Sequence, residues 1–252
     1  MNELLALDFP PISHLTIWPE GPLGINKTVG IYFLAVLLTL LLFFLAGAKK
    51  RMVPTGVQAI AESSVDFVRN QIIMPTMGVD GMPYLPLLAT MFFFILFSNL
   101  TEIIPFIQFP ANARIAMPMI LALLVWVIFN VVGVIKQGPI QYLKGMLFPP
   151  GLPKAIYVLY TPIEFVSVFF IRPLSLSVRL FANMLAGHLI LVTFAVLCAA
   201  LWTAKINAVI LPFPFLLLIA MTGFEVLVAF LQAFIFAILT AVYIGSSMHP
   251  EH

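Results

Sequence analysis

The sequence predicts an all-α integral membrane protein with five membrane-crossing helices and one amphipathic helix, and three observations carry that prediction. Of 252 residues, 62% are hydrophobic and only 9% are charged, with a mean hydropathy of +1.12. A soluble domain carries roughly 25% charged residues, so lipid must be the solvent for most of this surface. Five stretches are long and apolar enough to cross about 30 Å of hydrocarbon. The last two are about twice the necessary length, and they hold the polar side chains that lipid disfavours most.

Residues 1–28 lack a basic start followed by an apolar core and contain Pro10, Pro11, Pro19 and Pro22, so they read as an extracytoplasmic segment rather than a cleaved signal. The single membrane domain then runs from 29 to 252. The first span, 29–47, is uncharged, and Lys49, Lys50 and Arg51 follow it at once. The positive-inside rule places that end in the cytoplasm and the N-terminus outside. In 55–74, Val57, Ile60, Ala61, Val65, Val68 and Ile72 recur at helical steps, with Glu62, Asp66, Arg69 and Asn70 between them. That pattern is an amphipathic helix, bounded by Pro54 and Pro75, lying on the cytoplasmic surface or against other helices.

Spans two and three are expected at 83–104 and 115–135, joined outside by a connection holding Glu102, Pro105, Pro110 and Arg114. This topology leaves Lys49, Lys50, Arg51, Arg69, Lys136, Lys144 and Lys154 inside and only Lys27, Arg114 and Lys205 outside. The apolar stretches 156–201 and 207–246 would reach roughly 60–70 Å as helices. Neither has a polar turn near its middle. The reading that gives their interior polar residues a use is two steeply tilted helices packed as an antiparallel hairpin, with the C-terminus in the cytoplasm.

The first of these helices contains Glu164, Arg172, Arg179, Asn183 and His188, and the second contains Glu225 and Gln232. A charged residue at a span centre costs roughly 2.5–3.5 kcal/mol on insertion scales and usually faces a bundle interior or a watery cavity. Arg179 stays charged at any physiological pH, so it requires an anionic partner or a water path. A packing ion pair with Glu225 is its bland alternative. Arg172, beside Pro173 near the cytoplasmic end, is expected to snorkel to the headgroups, and Glu164 to cap or to line an access route. Interhelical hydrogen bonding is the plain reading of Asn183 and Gln232. In an antiparallel hairpin Arg179 with Gln232 and His188 with Glu225 share one register. Arg179 and Asn183 lie on one face, while His188 is rotated by about 180°.

Some functions are excluded or disfavoured by the same residues. The small net charge of +2 and the absence of a basic run interleaved with aromatics argue against nucleic acid. The single Cys198 can form no internal disulfide and reads as a buried structural thiol. No internal repeat suggests a secondary transporter, and no Gly-x-Ser-x-Gly or His-Glu-x-x-His suggests a hydrolase. A passive anchor leaves Arg179 unexplained. Translocation of a small cation, protons first, is the remaining class, and no hydroxyl–carboxylate cluster points to sodium.

The run Arg172-Pro-Leu-Ser-Leu-Ser-Val-Arg179-Leu-Phe-Ala-Asn183-Met-Leu-Ala-Gly-His188 closely resembles the signature of subunit a of rotary F-type ATP synthases. Leu231-Gln232-Ala-Phe-Ile-Phe236 resembles the second motif of that family, and Asn99-Leu-Thr-Glu102-Ile-Ile-Pro105 a third. At Asn112–Pro118, where the family's run is usually rich in Thr, Asp and Asn, this chain reads Asn-Ala-Arg-Ile-Ala-Met-Pro, and no outer-channel role is assigned to it.

The resemblance implies a stator subunit of the plasma membrane beside a rotating ring of c subunits, held by the b subunits of the peripheral stalk, with no cofactor, metal or catalytic residue of its own. Arg179 takes the place of the arginine that faces the ring, Asn183 and Gln232 match its polar neighbours, and His188 with Glu225 matches a channel-lining pair. Asn99, Glu102 and Glu164 are candidates for channel entrances. Two offset half-channels would then load and unload protons on ring carboxylates and couple their flow to ATP synthesis.

Overall fold

The computed structural model describes residues 27–48, 55–104, 111–148, 153–203 and 210–248, and among these every regular element is helical. The expectations for residues 1–26, for Lys49, Lys50, Arg51 and Pro54, for Pro105 and Pro110, and for Lys205 fall outside them. Helix α1 is Lys27–Ala48 and α2 is Val57–Val68. A 3-10 segment, Gly78–Tyr84, leads into α3, Leu85–Leu100, and a short turn, Ala111–Ala113, precedes α4, Ala116–Gln137. Then follow α5, Pro139–Leu147, α6, Lys154–Val166, α7, Arg172–Thr203, and α8, Pro212–Met248. Among the described residues, five helical stretches are long and apolar enough to cross a membrane: Lys27–Gly47, Val57–Leu100, Ala116–Gln137, Ile156–Trp202 and Pro212–Met248.

Prolines mark where these helices begin because the first turn has no intrahelical partner for its N–H groups. Pro86, Pro118, Pro139, Pro212 and Pro214 all occupy such first turns. Pro75 and Pro173 do not, and each is preceded by a π turn, Arg69–Ile73 and Ser167–Ile171. In both, the residue just before the proline donates its N–H five residues back, Met74 to Arg69 O and Arg172 to Ser167 O. The widened turn accommodates a residue with no donor and a ring that would clash with the carbonyl four residues back. Hence Pro75 does not end the second helix as expected, and the chain runs on to Met77. The same device makes α6 and α7 one continuous rod of roughly 70 Å.

Helix α8 is the centre of the fold and packs against α3, α4 and α7. Ala229, Ala233, Ala237, Ala241 and Gly245 recur every fourth residue along it, and all are buried. Such a stripe lets backbones approach closely where no hydrophobic drive separates protein from lipid. At Gly245 an added Cβ would lie 3.1 Å from the Thr76 carbonyl oxygen, so the end of the α2 rod touches the α8 backbone there. Phe67 of α2 contacts the rings of Phe92 on α3 and of Phe230 and Phe234 on α8.

Helix α2 therefore lies against other helices, by part of the face expected. Ala61, Val68 and Ile72 are buried, joined by Gln58 and Ile73, while Val57 and Ile60 are exposed. The departure is confined to the first turns of α2, before the π turn, whereas the buried Ala61, Val68 and Ile72 belong to the expected face. Cys198 is half-buried rather than fully buried.

Candidate functional site

The polar residues of the long helices come together where α7, α8 and the C-terminal end of α3 meet. Asn183 Nδ2 donates to Gln232 Oε1 at 2.7 Å, which fixes α7 and α8 as an antiparallel pair. One to two turns further along α7, Gly187 meets Glu225, and an added Cβ there would collide with the Glu225 carboxylate. Glu225 thus meets α7 within one residue of its expected level beside His188, while Gln232 bonds Asn183, one turn along from Arg179. The reason is local. Asn183 and Gly187 face α8, and Gly187, with no side chain, leaves room for a carboxylate.

His188 is the next residue, about 100° around the helix, and it turns towards α3 instead. Its Nδ1 lies 3.2 Å from Glu102 Oε1, within ion-pair range but not aligned as a hydrogen bond. His188 and Glu225, expected at one height, make no direct contact, and the histidine pairs with Glu102. Glu225 remains close enough to both to act on them electrostatically. Glu102 does not sit in an open connection either, since it is 2% exposed and its Oε2 has no partner among the described residues. The bend that buries it is built locally: Glu102 N–H donates to Asn99 O and Thr101 Oγ1 to Ser98 O.

A cleft of about 250 Å³ opens between α7 and α8, lined by Asn183, Gly187, Ile190 and Leu191 of the one and Phe224, Glu225 and Gln232 of the other. It has room for several water molecules. Gln232 Nε2 is buried with no partner among the described residues, a donor suited to such water. Asn99, Asn183, Glu225 and Gln232 also line a much smaller gap between α3 and the hairpin.

Arg179 stands apart from this cluster. It is half-buried, with exposed Val178, Ala182 and Asn183 around it, and it makes no ion pair or hydrogen bond with any described residue. The packing pair with Glu225 is not formed. Towards the other end of the rod, Arg172 Nη2 and Glu164 Oε1 form an ion pair at 2.9 Å, and the guanidinium carbon lies 5.5 Å from the Tyr243 ring centre. Arg172, expected to snorkel, is thus turned on a carboxylate and an aromatic face of its own chain. The π turn explains the pair. In a straight α-helix Glu164 and Arg172 would differ by about 80°, and five residues at the wider π spacing remove most of that angle. Sequence reasoning missed the role of Gly187 and the α8 stripe, although the four-residue spacing of small residues was there to be read.

A polytopic helical bundle with a lone guanidinium in one span, a carboxylate and amides around a cleft, and an imidazole set against a second buried carboxylate has the makeup of an ion-translocating membrane subunit. The family model described as ATP synthase A chain matches residues 29–245. The chain is 42% identical to ATP synthase subunit a of Rhodococcus erythropolis over 97% of this chain and 89% of that one. It is also 42% identical to ATP synthase subunit a of Nitrobacter winogradskyi over the whole of both chains, and 37% identical to that of Hyphomonas neptunium over 98% of each. The chain belongs to the ATP synthase A chain family. It is accordingly a multi-pass membrane protein and a proton-translocating component of the F-type ATP synthase complex.

Proposed function

We propose that the chain forms two offset half-channels that load and unload protons on the carboxylates of an adjacent ring of c subunits, with Arg179 as the fixed charge between them. The observation that carries this is the lone Arg179. A guanidinium in a span, lacking an anion within its own chain, is suited to an anion presented by a neighbour. The exposed small residues beside it, Ala182, Asn183 and Ala186, allow that neighbour to approach closely.

The electrostatics set the mechanism. A ring carboxylate in lipid stays protonated because desolvation disfavours its charge, and beside Arg179 the ionised form is favoured. On the outer side Glu102, His188 and Glu225, with Asn99, Asn183 and Gln232 along the cleft, hand a proton to the arriving carboxylate. The neutralised carboxyl can then rotate into lipid. On the other side of Arg179, Arg172 about 10 Å and Glu164 about 20 Å along the rod flank the route by which a proton leaves to the cytoplasm. Each elementary charge crossing about 100 mV supplies about 2.3 kcal/mol, so several must pass per ATP. This reading places the N-terminus outside and the C-terminus inside a plasma membrane, and it includes the b subunits of the peripheral stalk as neighbours.

The test uses the whole reconstituted complex. Arg179→Ala should abolish ATP synthesis driven by an imposed proton gradient while the subunit remains in the complex. Arg179→Lys, which keeps a cation but loses the planar fork, should also fail substantially. Normal synthesis with Arg179→Ala would overturn the reading.

A further inference from the structure

The segment Asn112–Pro118 was the one family-like stretch left without a role, and the structure puts its first residue at the middle of a buried network. Asn112 is fully buried in the short turn before α4. Its Nδ2 donates to Asn99 Oδ1 at 2.7 Å and to Ser98 Oγ at 3.0 Å, both on α3. Its Oδ1 accepts from the Tyr32 hydroxyl of α1 at 3.0 Å, and that hydroxyl also lies 2.8 Å from Ala111 O. Both amide hydrogens and the carbonyl oxygen are therefore used. Asn99 in turn reaches Ala229 O of α8 at 3.5 Å.

Ser98 and Asn99 are also the residues that hold the bend carrying Glu102, through Thr101 Oγ1 to Ser98 O and Glu102 N–H to Asn99 O. Resting on the half-channel reading above, we propose that Asn112 is a positioning residue of the outer half-channel, tying α1 to the end of α3 so that Glu102 is held opposite His188. The groups facing Glu102 are His188 of α7 and Glu225 of α8, and on the far side of the network stand Tyr32 of α1 and Arg114. Asn112 touches none of the proton carriers, so it acts through the backbone bend and not as a carrier itself. Truncating it leaves the Tyr32 hydroxyl, Ser98 and Asn99 to repartner in a site with no bulk water, and the bend loses its fixed setting.

The experiment measures ATP synthesis by the reconstituted whole complex at a fixed membrane potential and fixed internal pH, as external pH is varied. Asn112→Leu and Tyr32→Phe should each move the external-pH midpoint in the same direction as Glu102→Gln. The shift should be about half a unit to one unit for Asn112→Leu and smaller for Tyr32→Phe. Asn112→Asp keeps the volume and the acceptor for Tyr32 but loses the donor to Asn99 Oδ1 and Ser98 Oγ, so its midpoint should move with that of Asn112→Leu. A rate that falls equally at every pH, with the midpoint unmoved in Asn112→Leu and Tyr32→Phe, would make the network merely structural and overturn the proposal. If Asn112→Leu fails to assemble, an unmoved midpoint in Tyr32→Phe and Asn112→Asp overturns it equally. The underlying reading fails separately, when Arg179→Ala complexes still synthesise ATP or when Glu102→Gln itself leaves the profile unchanged.

Discussion

Gly187→Ala places one methyl group where the Glu225 carboxylate now lies, since a Cβ at that position would overlap both carboxylate oxygens. The neighbouring atoms are the end of a flexible side chain, so the helices need not separate. Glu225 has only to rotate away, by about 1 Å or more, at a rotamer cost of order 0.5–1.5 kcal/mol. Stability should change little, whereas a misplacement of about 1 Å in a positioned group can cost about a hundredfold in rate. The expected outcome is a ten- to hundredfold loss of proton-driven ATP synthesis in reconstituted vesicles, with unchanged subunit content. Glu225→Asp is one methylene shorter and withdraws the carboxylate from the new methyl, so Gly187→Ala with Glu225→Asp should recover more activity than Gly187→Ala alone. A double-mutant cycle reads the coupling. Strictly additive losses, or full activity in Gly187→Ala, would refute the claim that Gly187 cradles a working carboxylate.

Other outcomes follow from the same geometry. Asn183→Ala and Gln232→Ala should show a coupling of about 0.6–1.7 kcal/mol in stability of the detergent-solubilised complex, the range for hydrogen bonds between membrane helices. Independent effects would mean that their 2.7 Å contact carries no energy. Glu164→Gln should destabilise modestly, by about 1 kcal/mol or less, because both partners of the Arg172 pair are partly exposed, and thermal unfolding checks it. In a Cys198→Ser background, cysteines at Asn2 and Glu251 should react with an impermeant thiol reagent from opposite sides of the membrane. Reaction from one side would contradict the topology.

The sequence was most legible where lipid is the solvent. Uncharged length pointed to five spans, because every backbone group in lipid must be satisfied within its own helix. The hairpin was legible too, because Arg179, Asn183, Glu225 and Gln232 had no other economical use. What the sequence did not disclose was angle. Gln232 bonds Asn183 rather than Arg179 one turn away, and the 100° between Gly187 and His188 sent the histidine to Glu102. The π turn before Pro173 changed facing directions within a rod that reads as one helix. Pro75, read as a boundary marker, and Pro173, within a stretch read as one helix, were the available signal, and both mark widened turns. Asn112 was opaque for another reason: its partners Tyr32, Ser98 and Asn99 come from two other elements, and no local spacing announces them.

The measurement that tests the central claim most directly is passive proton conductance of vesicles carrying the membrane sector alone, with Arg179 or with Arg179→Ala. If Arg179 is the fixed charge separating two water-accessible paths, its removal joins them. Ring-independent proton leak should then rise while gradient-driven ATP synthesis in the whole complex falls to background. A variant that neither leaks nor loses synthesis would contradict the account, and so would one that conducts only through the turning ring, as the wild type does.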